Sequence, residues 1–181
     1  MHQTINGFVG GPNGELDWIT WDQDGKIIQY VHSLIDSSDT ILLGRKMTDG
    51  FVNYWEDVVN NKPGSPNFLL AKKMVDTPKV VFTKTLDKST WNNTTLAKGN
   101  LADEISNLKK QKGKDIIVYG GADFVSSLIK EGLIDEYHLF IDPVAIGSGL
   151  TIFKERTNLE LVKATPYSCG IVVLLYEPIK K

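Results

Sequence analysis

The sequence predicts a three-layer α/β domain whose mixed, mostly parallel sheet ends in an antiparallel hairpin. In the first two thirds of the 181 residues, strand-like apolar runs alternate with helical segments, which is the pattern of an α/β fold. Residues 115–119 are almost wholly apolar, as expected for a strand covered on both faces. Residues 159–164 and 171–176 are strand-like on either side of a turn, which predicts the hairpin. No linker divides the chain, so we expect a single domain over residues 1–181.

Each element is placed by its apolar spacing and by the turn residues around it. The first strand ends within residues 3–5, a turn-rich loop follows, and helical apolar spacing over residues 26–35 predicts the first helix. In chain order, the other predicted elements are a strand at 40–43, a short helix through Val52 to Trp55, a loop at 60–67, a helix at 68–75, a strand at 79–82, a helix at 101–112, a strand at 115–119, a helix at 124–131 capped by Gly132, a strand at 137–141 and the hairpin.

The composition excludes several classes of function. Twenty Lys and Arg against 22 Asp and Glu give a net charge of −2, so the chain has no global attraction to nucleic acid or to an anionic membrane. Cys169 is the single cysteine and the three histidines lack zinc-ligand spacing, so we expect no disulfide and no metal. Without a signal-peptide pattern or a bilayer-spanning stretch, we expect a cytoplasmic protein.

Candidate anion-binding groups follow three of the predicted strands. Because the carboxyl ends of parallel strands meet along one edge of a sheet, we expect these groups to lie together. Gly120 and Gly121 allow close backbone approach and free N–H groups at a helix start, which suits a pyrophosphate. The other two strand ends carry Gly44, Arg45, Lys46 and Thr48, and then Thr83 and Lys84. Together they predict a site for a dinucleotide with an additional phosphate on its adenosine ribose.

Each of these signals also has a simpler interpretation. A strand–Gly–Gly–helix turn often serves only as a tight connection, and cations such as Arg45 and Lys46 are often simply solvated. Asp123 lies in the first helical turn after the glycines, where it repels a phosphate unless its side chain faces away. If Arg45 binds the extra phosphate, the charge-assisted hydrogen bond favours NADPH over NADH by about tenfold or more.

Motifs for other chemistries are missing from the sequence. The chain has no GxGxxG after its first strand, no GxxxxGK[ST] phosphate loop and no GxSxG nucleophile elbow. The sequence therefore contains no recognisable motif for acyl or phosphoryl transfer. Hydride transfer remains, because a nicotinamide cofactor supplies that chemistry and the protein supplies orientation.

Several segments resemble one family, in that family's order and along nearly the whole chain. They are residues 6–18 (NGFVGGPNGELDW), 43–48 (LGRKMT), 54–55 (YW), 91–94 (WNNT), 118–122 (VYGGA), 132–137 (GLIDEY) and 143–149 (PVAIGSG). The chain resembles the dihydrofolate-reductase-like proteins, above all the C-terminal reductase domain of the bifunctional riboflavin-biosynthesis deaminase/reductase. The resemblance implies a dihydrofolate-reductase-like fold, NADPH as cofactor and a homodimer.

The resemblance also implies roles for individual residues. The cofactor positions are Gly44, Arg45, Lys46, Thr48, Thr83, Lys84, Gly120, Gly121 and Ala122. The mobile substrate loop covers residues 6–18, with Gly7, Gly14 and Trp18 as substrate-loop positions. The catalytic candidates are Asn6 and Asp17, and the acids that could donate a proton are Glu15, Asp17, Asp22 and Asp24, although water could serve instead. Trp18, Tyr54 and Trp55 either stack on a heterocycle or pack in the core.

Two departures from the family bear on the substrate. The loop begins Asn6-Gly7 where the family usually has Asp-Gly, which removes a carboxylate. Dihydrofolate reductases carry a substrate-binding carboxylate on the next helix, whereas the corresponding residues 28–30 include no acid, so folate itself is disfavoured. In addition, only five residues precede Asn6, so we expect the first strand to be short.

These observations lead to one hypothesis and its alternatives. We expect an NADPH-dependent reductase of a small heterocyclic or sugar-linked substrate, resembling the 5-amino-6-(5-phosphoribosylamino)uracil reductase of riboflavin biosynthesis. The alternatives are a dihydrofolate or pterin reductase, and a non-catalytic NADPH- or nucleotide-binding protein. An assembly subunit is a further alternative, which rests on the apolar C-terminal hairpin alone.

Overall fold

The computed structural model describes residues 1–20 and 25–179. Within those ranges the helices are α1 (Lys26–Asp36), α2 (Arg45–Asn61), α3 (Phe68–Asp76), α4 (Leu101–Lys109) and α5 (Ala122–Lys130). The strands are β1 (His2–Thr4), β2 (Ser38–Gly44), β3 (Lys79–Phe82), β4 (Thr94–Ala97), β5 (Asp115–Gly120), β6 (Tyr137–Asp142), β7 (Leu159–Pro166) and β8 (Val172–Pro178). The chain forms two compact units, residues 30–124 and residues 1–29 with 125–181.

The unit of residues 30–124 is built on a parallel sheet with the strand order β4-β3-β2-β5. Ile41 and Leu43 of β2, Val81 of β3 and Met74 of α3 are completely shielded from solvent. Burial of an aliphatic side chain of this size stabilises a fold by about 1.5–3 kcal/mol. This core therefore holds β2 and β3, the two middle strands of the sheet, in a fixed register.

The unit of residues 1–29 and 125–181 contains a mixed sheet with the strand order β1-β6-β8-β7. β1 runs parallel to β6, whereas β8 is antiparallel to both β6 and β7. Ile152 and Ile171 are almost fully buried here, as is Leu128 of α5. The α/β class and the C-terminal antiparallel hairpin predicted from the sequence are thus confirmed.

Most element boundaries agree with the spacing of apolar and turn residues. β3 has the predicted bounds, and α1 and α3 each extend one residue further than predicted. Gly132 ends α5 as predicted: its φ is +64°, and the backbone N of Leu133 donates to the carbonyl of Leu128 at 3.0 Å. The backbone N of Gly132 also donates to the carbonyl of Ile129 at 3.0 Å, and the two bonds together are the pattern that a left-handed glycine cap allows.

Three predictions of local structure were wrong. α2 continues to Asn61, well beyond Trp55, because Val58 in its last turns is buried; the Asp57 carboxylate also accepts from the Asn61 amide at 2.7 Å and pairs with Lys62 at 2.6 Å. β4 was not predicted, since only Ala97 among its four residues is buried and its apolar pattern is weak. α4 ends at Lys109, three residues before the predicted end at Lys112.

The first residue of β3 is a buried cation. Lys79 is only 3% exposed, and its Nζ donates to the carbonyls of Val75 at 2.9 Å and Thr77 at 2.8 Å. Burial lowers the pKa of this ammonium group, because desolvation penalises its charged form. Lys79 therefore satisfies carbonyls at the end of α3 at the expense of its own hydration.

The described residues lack two other kinds of feature. No helix among them is long and apolar enough to span a membrane. Nor do they contain a group of three or more His, Cys, Asp or Glu side chains that could hold a metal ion.

Candidate functional site

The carboxyl ends of the four parallel strands lie side by side. Gly44 at the end of β2 pairs with Phe82 of β3, and Leu43 pairs with Gly120 at the end of β5. Phe82 pairs in turn with Ala97 at the end of β4. We name this edge the strand-end site and define it as residues 44–48, 83–84, 98–100 and 120–123. The structure thus brings together all the positions predicted to bind a cofactor, which are Gly44, Arg45, Lys46, Thr48, Thr83, Lys84, Gly120, Gly121 and Ala122.

Glycines allow the β2–α2 and β5–α5 turns to meet in the strand-end site. A Cβ atom at Gly44 would lie 2.9 Å from Cβ of Phe124 and 3.4 Å from the carbonyl oxygen of Gly120. A Cβ atom at Gly121 would lie 3.6 Å from Cα of Gly44, and the φ of +57° at Gly121 also disfavours a side chain. Close backbone approach, rather than a special conformation, therefore requires glycine at position 44.

The N-terminus of α2 is suited to an anion. Gly44 is its N-cap residue, and no side chain in the described part of the chain caps it. The first turn then carries Arg45 and Lys46, which are both exposed, and Arg45 has no ion-pair partner among residues 1–20 and 25–179. Because the end of a helix carries partial positive charge, these two cations reinforce a field that attracts an anion.

The charge of Asp123 at the start of α5 is partly offset by a neighbouring cation. Nζ of Lys46 lies 3.4 Å from a carboxylate oxygen of Asp123, and the two side chains are 82% and 79% exposed. An ion pair this exposed adds little stability. It nevertheless places a positive charge beside the carboxylate that was expected to repel a phosphate.

The backbone N–H of Gly121, predicted to be free, has a partner. The backbone N of Gly121 donates to the thioether Sδ of Met47 at 2.8 Å. The prediction of free donors at the glycine pair is therefore wrong for Gly121. A thioether is a weak acceptor, so the bond occupies this donor without satisfying it strongly.

The two predicted hydroxyl contacts are occupied by the backbone of their own turns. Oγ1 of Thr48 is buried and donates to the carbonyl of Gly44 at 3.1 Å. Oγ1 of Thr83 accepts from the backbone N of Thr85 and of Leu86, both at 3.2 Å. In this conformation both threonines shape the strand-end site, while Lys84 beside them is exposed.

Lys98 and Asn100 belong to the strand-end site and were missed in the sequence because β4 was missed. Lys98 is 45% exposed, and its Nζ pairs with Asp87 at 2.8 Å. The side-chain oxygen of Asn100 caps α4 by accepting from the backbone N of Ala102 at 2.9 Å and of Asp103 at 3.2 Å. The α4 terminus is therefore satisfied internally, in contrast to that of α2.

Aromatic side chains of α2 and β5 pack next to the strand-end site. Tyr119 is the unpaired residue of a β-bulge, and its ring lies 5.4 Å from that of Phe51. Burial raises the pKa of the Tyr119 hydroxyl, so this group stays protonated at neutral pH. Trp55 packs between Phe51 at 6.2 Å and Tyr54 at 4.8 Å, whereas Tyr54 itself is 46% exposed.

The predicted substrate loop lies in the other unit, where hydrogen bonds hold its first turn. Oδ1 of Asn6 accepts from Oγ1 of Thr4, and its Nδ2 donates to the carbonyl of Ile146, both at 2.7 Å. Gly7 and Gly14 turn the chain with φ angles of +88° and +89°. The Asn6 amide is therefore committed to the conformation of the loop, which leaves its catalytic role as a prediction only.

The middle of the loop forms a bridge to a second glycine-containing segment. Leu150 donates its backbone N to the carbonyl of Gly10 at 2.9 Å, and any Cβ atom at Gly149 would overlap that carbonyl oxygen. Nε1 of Trp18 donates to the carbonyl of Glu15 at 3.2 Å. Trp18 is half-buried and stays within its own loop.

The environment of Glu15 in the loop disfavours proton donation. The Glu15 carboxylate accepts from the side-chain and backbone nitrogens of Asn13 at 2.6 and 2.9 Å, which lowers its pKa, whereas a proton donor needs a raised one. Asp17 is exposed. The other two candidates, Asp22 and Asp24, lie outside the described residues.

A buried carboxylate near the loop was not singled out in the sequence. Asp142 ends β6 with no exposed surface, and its oxygens lie 2.8 Å from Nδ1 of His2 and 2.8 Å from the backbone N of Thr20. In the sequence, Asp142 served only as a strand stop before Pro143. Its partners come from distant positions, which local pattern does not reveal.

The fold and the strand-end site define an α/β protein in which groups that can bind an anion, namely exposed cations and the N-terminus of α2, lie at the carboxyl edge of a parallel sheet. Residues 1–173 match the family model of the RibD C-terminal domain. The chain belongs to the RibD C-terminal domain family. The Bacillus subtilis protein YyaP is 35% identical over 176 residues, which cover 96% of this chain and 89% of YyaP.

Solved structures share this fold at low sequence identity. A protein from Shewanella sp. PV-4 superposes with a TM-score of 0.77 at 19% identity, covering 99% of this chain and 97% of its own. The deaminase/5-amino-6-(5-phosphoribosylamino)uracil reductase of Thermotoga maritima gives 0.65 at 16% identity, with 98% of this chain and 55% of that protein covered. These likenesses confirm the dihydrofolate-reductase-like fold.

Proposed function

We propose that the protein is an NADPH-dependent reductase of a small heterocyclic or sugar-linked substrate. The observation that carries the proposal is the convergence of the β2, β3 and β5 ends, which gathers glycines, cations and an uncapped helix N-terminus at one edge. Family membership supports the reductase class, since the Thermotoga protein of the same fold is named as a uracil-derivative reductase.

The strand-end site fits a dinucleotide that carries an extra phosphate. The glycines at positions 44, 120 and 121 let the β2–α2 and β5–α5 turns pack against each other, and Gly121, which is half-buried, is the one of the three with backbone accessible to a pyrophosphate at the start of α5. Arg45 at the open end of α2, with Lys84 on the adjacent turn, suits the phosphate on the adenosine ribose. NADPH supplies a hydride when bound, and the protein's part is to bind, orient and select.

The charges of α1 favour a sugar-linked pyrimidine over a pterin as substrate. The helix carries a single acid, Asp36, at its last residue, and that carboxylate pairs with Lys73 at 2.5 Å. A pterin's protonated N–C–N edge pairs well with a carboxylate, which α1 does not offer elsewhere. The lowered pKa of Glu15 makes this side chain a poor donor of the proton that completes the reduction, and water can supply that proton instead.

A cofactor titration of the Arg45→Ala variant tests the proposal. We expect NADPH to bind the wild-type protein about tenfold or more tightly than NADH, and the variant to lose this preference. Arg156→Ala is the matched control, since it removes the same charge from an exposed side chain outside the strand-end site. Equal weakening of NADPH and NADH in Arg45→Ala would contradict the assigned role of Arg45.

Turnover and oligomeric state are separate measurements. Consumption of NADPH with a phosphoribosylamino-pyrimidine supports the reductase, whereas tight NADPH binding without turnover of pyrimidines, pterins or ketoses favours a non-catalytic nucleotide-binding protein. We also expect a homodimer in the cytoplasm, and a monomer in light scattering would contradict the dimer.

A further inference from the structure

We propose that Met47 is an oxidative modification site whose conversion to the sulfoxide closes the strand-end site to phosphate. Met47 lies in the first turn of α2 and is half-buried, and its Sδ accepts the N–H of Gly121 at 2.8 Å. Gly121 is one of the donors on which the proposed function relies, so the cofactor part of this inference rests on that function.

In the reduced state, the contact is weak enough for an anion to replace it. A thioether is a poor hydrogen-bond acceptor, whereas a phosphate oxygen forms a charge-assisted bond. The Met side chain is flexible, so it can turn away from Gly121 at little cost. The Gly121 N–H is therefore bonded to Met47 when the site is empty, and a bound phosphate takes the place of Met47 as its acceptor.

Oxidation changes the acceptor at the same position. A peroxide transfers one oxygen atom to Sδ: an S–O bond forms, the O–O bond breaks, the sulfur is oxidised, and hydrogen peroxide is reduced to water. The product is polar, and its oxygen is a far better acceptor for the Gly121 N–H than the thioether was. Met74 is completely buried, so we expect peroxide to reach Met47 before it.

Space at the contact strengthens this effect. A Cβ atom at Gly121 would lie 4.0 Å from Cγ of Met47 and 3.6 Å from Cα of Gly44, so the methionine packs directly on the glycine turn. The added oxygen either holds the Gly121 N–H or pushes the first turn of α2 away from it. Both results remove a donor from a phosphate, and we expect NADPH affinity to fall by about tenfold or more.

The test treats the wild-type protein, Met47→Leu and Met74→Leu with hydrogen peroxide. Peptide mass spectrometry locates the sulfoxide, the amide resonance of Gly121 reports the contact without cofactor, and a fluorescence titration measures NADPH affinity. Leu matches the volume of Met but offers no acceptor, and Met47→Leu keeps Cys169, Met1 and Met74 as oxidisable side chains.

We expect the oxidised wild type and Met74→Leu to show a moved Gly121 resonance and weakened NADPH binding, both restored by a methionine sulfoxide reductase with a thiol reductant. We expect Met47→Leu to keep its affinity after peroxide. The proposal is overturned if Met47 stays unmodified, if its sulfoxide changes neither readout, or if Met47→Leu loses as much affinity. If the untreated protein does not bind NADPH, the proposed function is wrong. The oxidation site at Met47 is then tested by the Gly121 amide resonance alone, which must move on oxidation for the proposal to stand.

Discussion

The substitution Gly44→Ala measures how far the strand-end site depends on close backbone approach. Gly44 has φ −75° and ψ 136°, which any residue adopts, so the cost of the new side chain is steric. Its Cβ would lie 2.9 Å from Cβ of Phe124 and 3.4 Å from the carbonyl of Gly120. Neither atom can move without shifting backbone, and overpacking of this kind costs about 1–3 kcal/mol. We therefore expect the free energy of unfolding to fall by about 2 kcal/mol.

Urea denaturation and NADPH titration measure the two consequences of Gly44→Ala. NADPH affinity should fall together with stability, because the start of α5 must move to admit the methyl group. Gly50→Ala is the matched control in the same helix: a Cβ atom there lies within 4 Å of no atom described in the structure. Alanine is the better helix former, so this control should gain about 0.5–1 kcal/mol and bind NADPH normally. Wild-type stability and wild-type affinity in Gly44→Ala would refute the reasoning.

Two further substitutions test the loop bridge and the buried cation. Gly149→Ala places a methyl group on the carbonyl oxygen of Gly10, so the Gly10–Leu150 bridge should open and amide hydrogen exchange at Leu150 should accelerate; unchanged exchange would contradict this. Lys79→Met should lower the free energy of unfolding at pH 7 by about 1–3 kcal/mol, because the carbonyls of Val75 and Thr77 lose their donor. Burial lowers the pKa of Lys79 in the folded state below its ordinary value of 10.5. The wild type should therefore gain stability relative to Lys79→Met as the pH rises from that lowered pKa towards 10.5. A stability difference that does not change with pH would contradict a desolvated ammonium group at this position.

The sheet edge was predictable because local pattern and topology agree there. Residues 79–82 form an apolar run after Pro78, and Gly44 and Gly120 end two more such runs. Parallel pairing then brings their carboxyl ends together whatever the details of packing. For this reason the shared edge follows from spacing alone, and the family resemblance agrees with it.

The directions of side chains at that edge were not predictable in the same way. Met47 accepts from Gly121, a contact that depends on packing between two turns far apart in sequence. The hydroxyls of Thr48 and Thr83 bond to backbone within four residues, an alternative that is always open to a threonine beside a turn. β4 lacked a strong apolar pattern, and pairing with β3 determines it instead. The residue types at a site can thus be predicted from the sequence. Whether each hydrogen-bond donor there already has a partner can be determined only from the folded structure.

The most direct test of the central claim is the amide spectrum of the 15N-labelled protein during addition of NADPH. If the strand-end site binds the cofactor, the largest shifts should fall in residues 44–48, 83–84 and 120–123, which the register places at one edge. Largest shifts at the opposite strand ends, around Ser38, Lys79 and Asp115, or no shifts at all, would contradict the account.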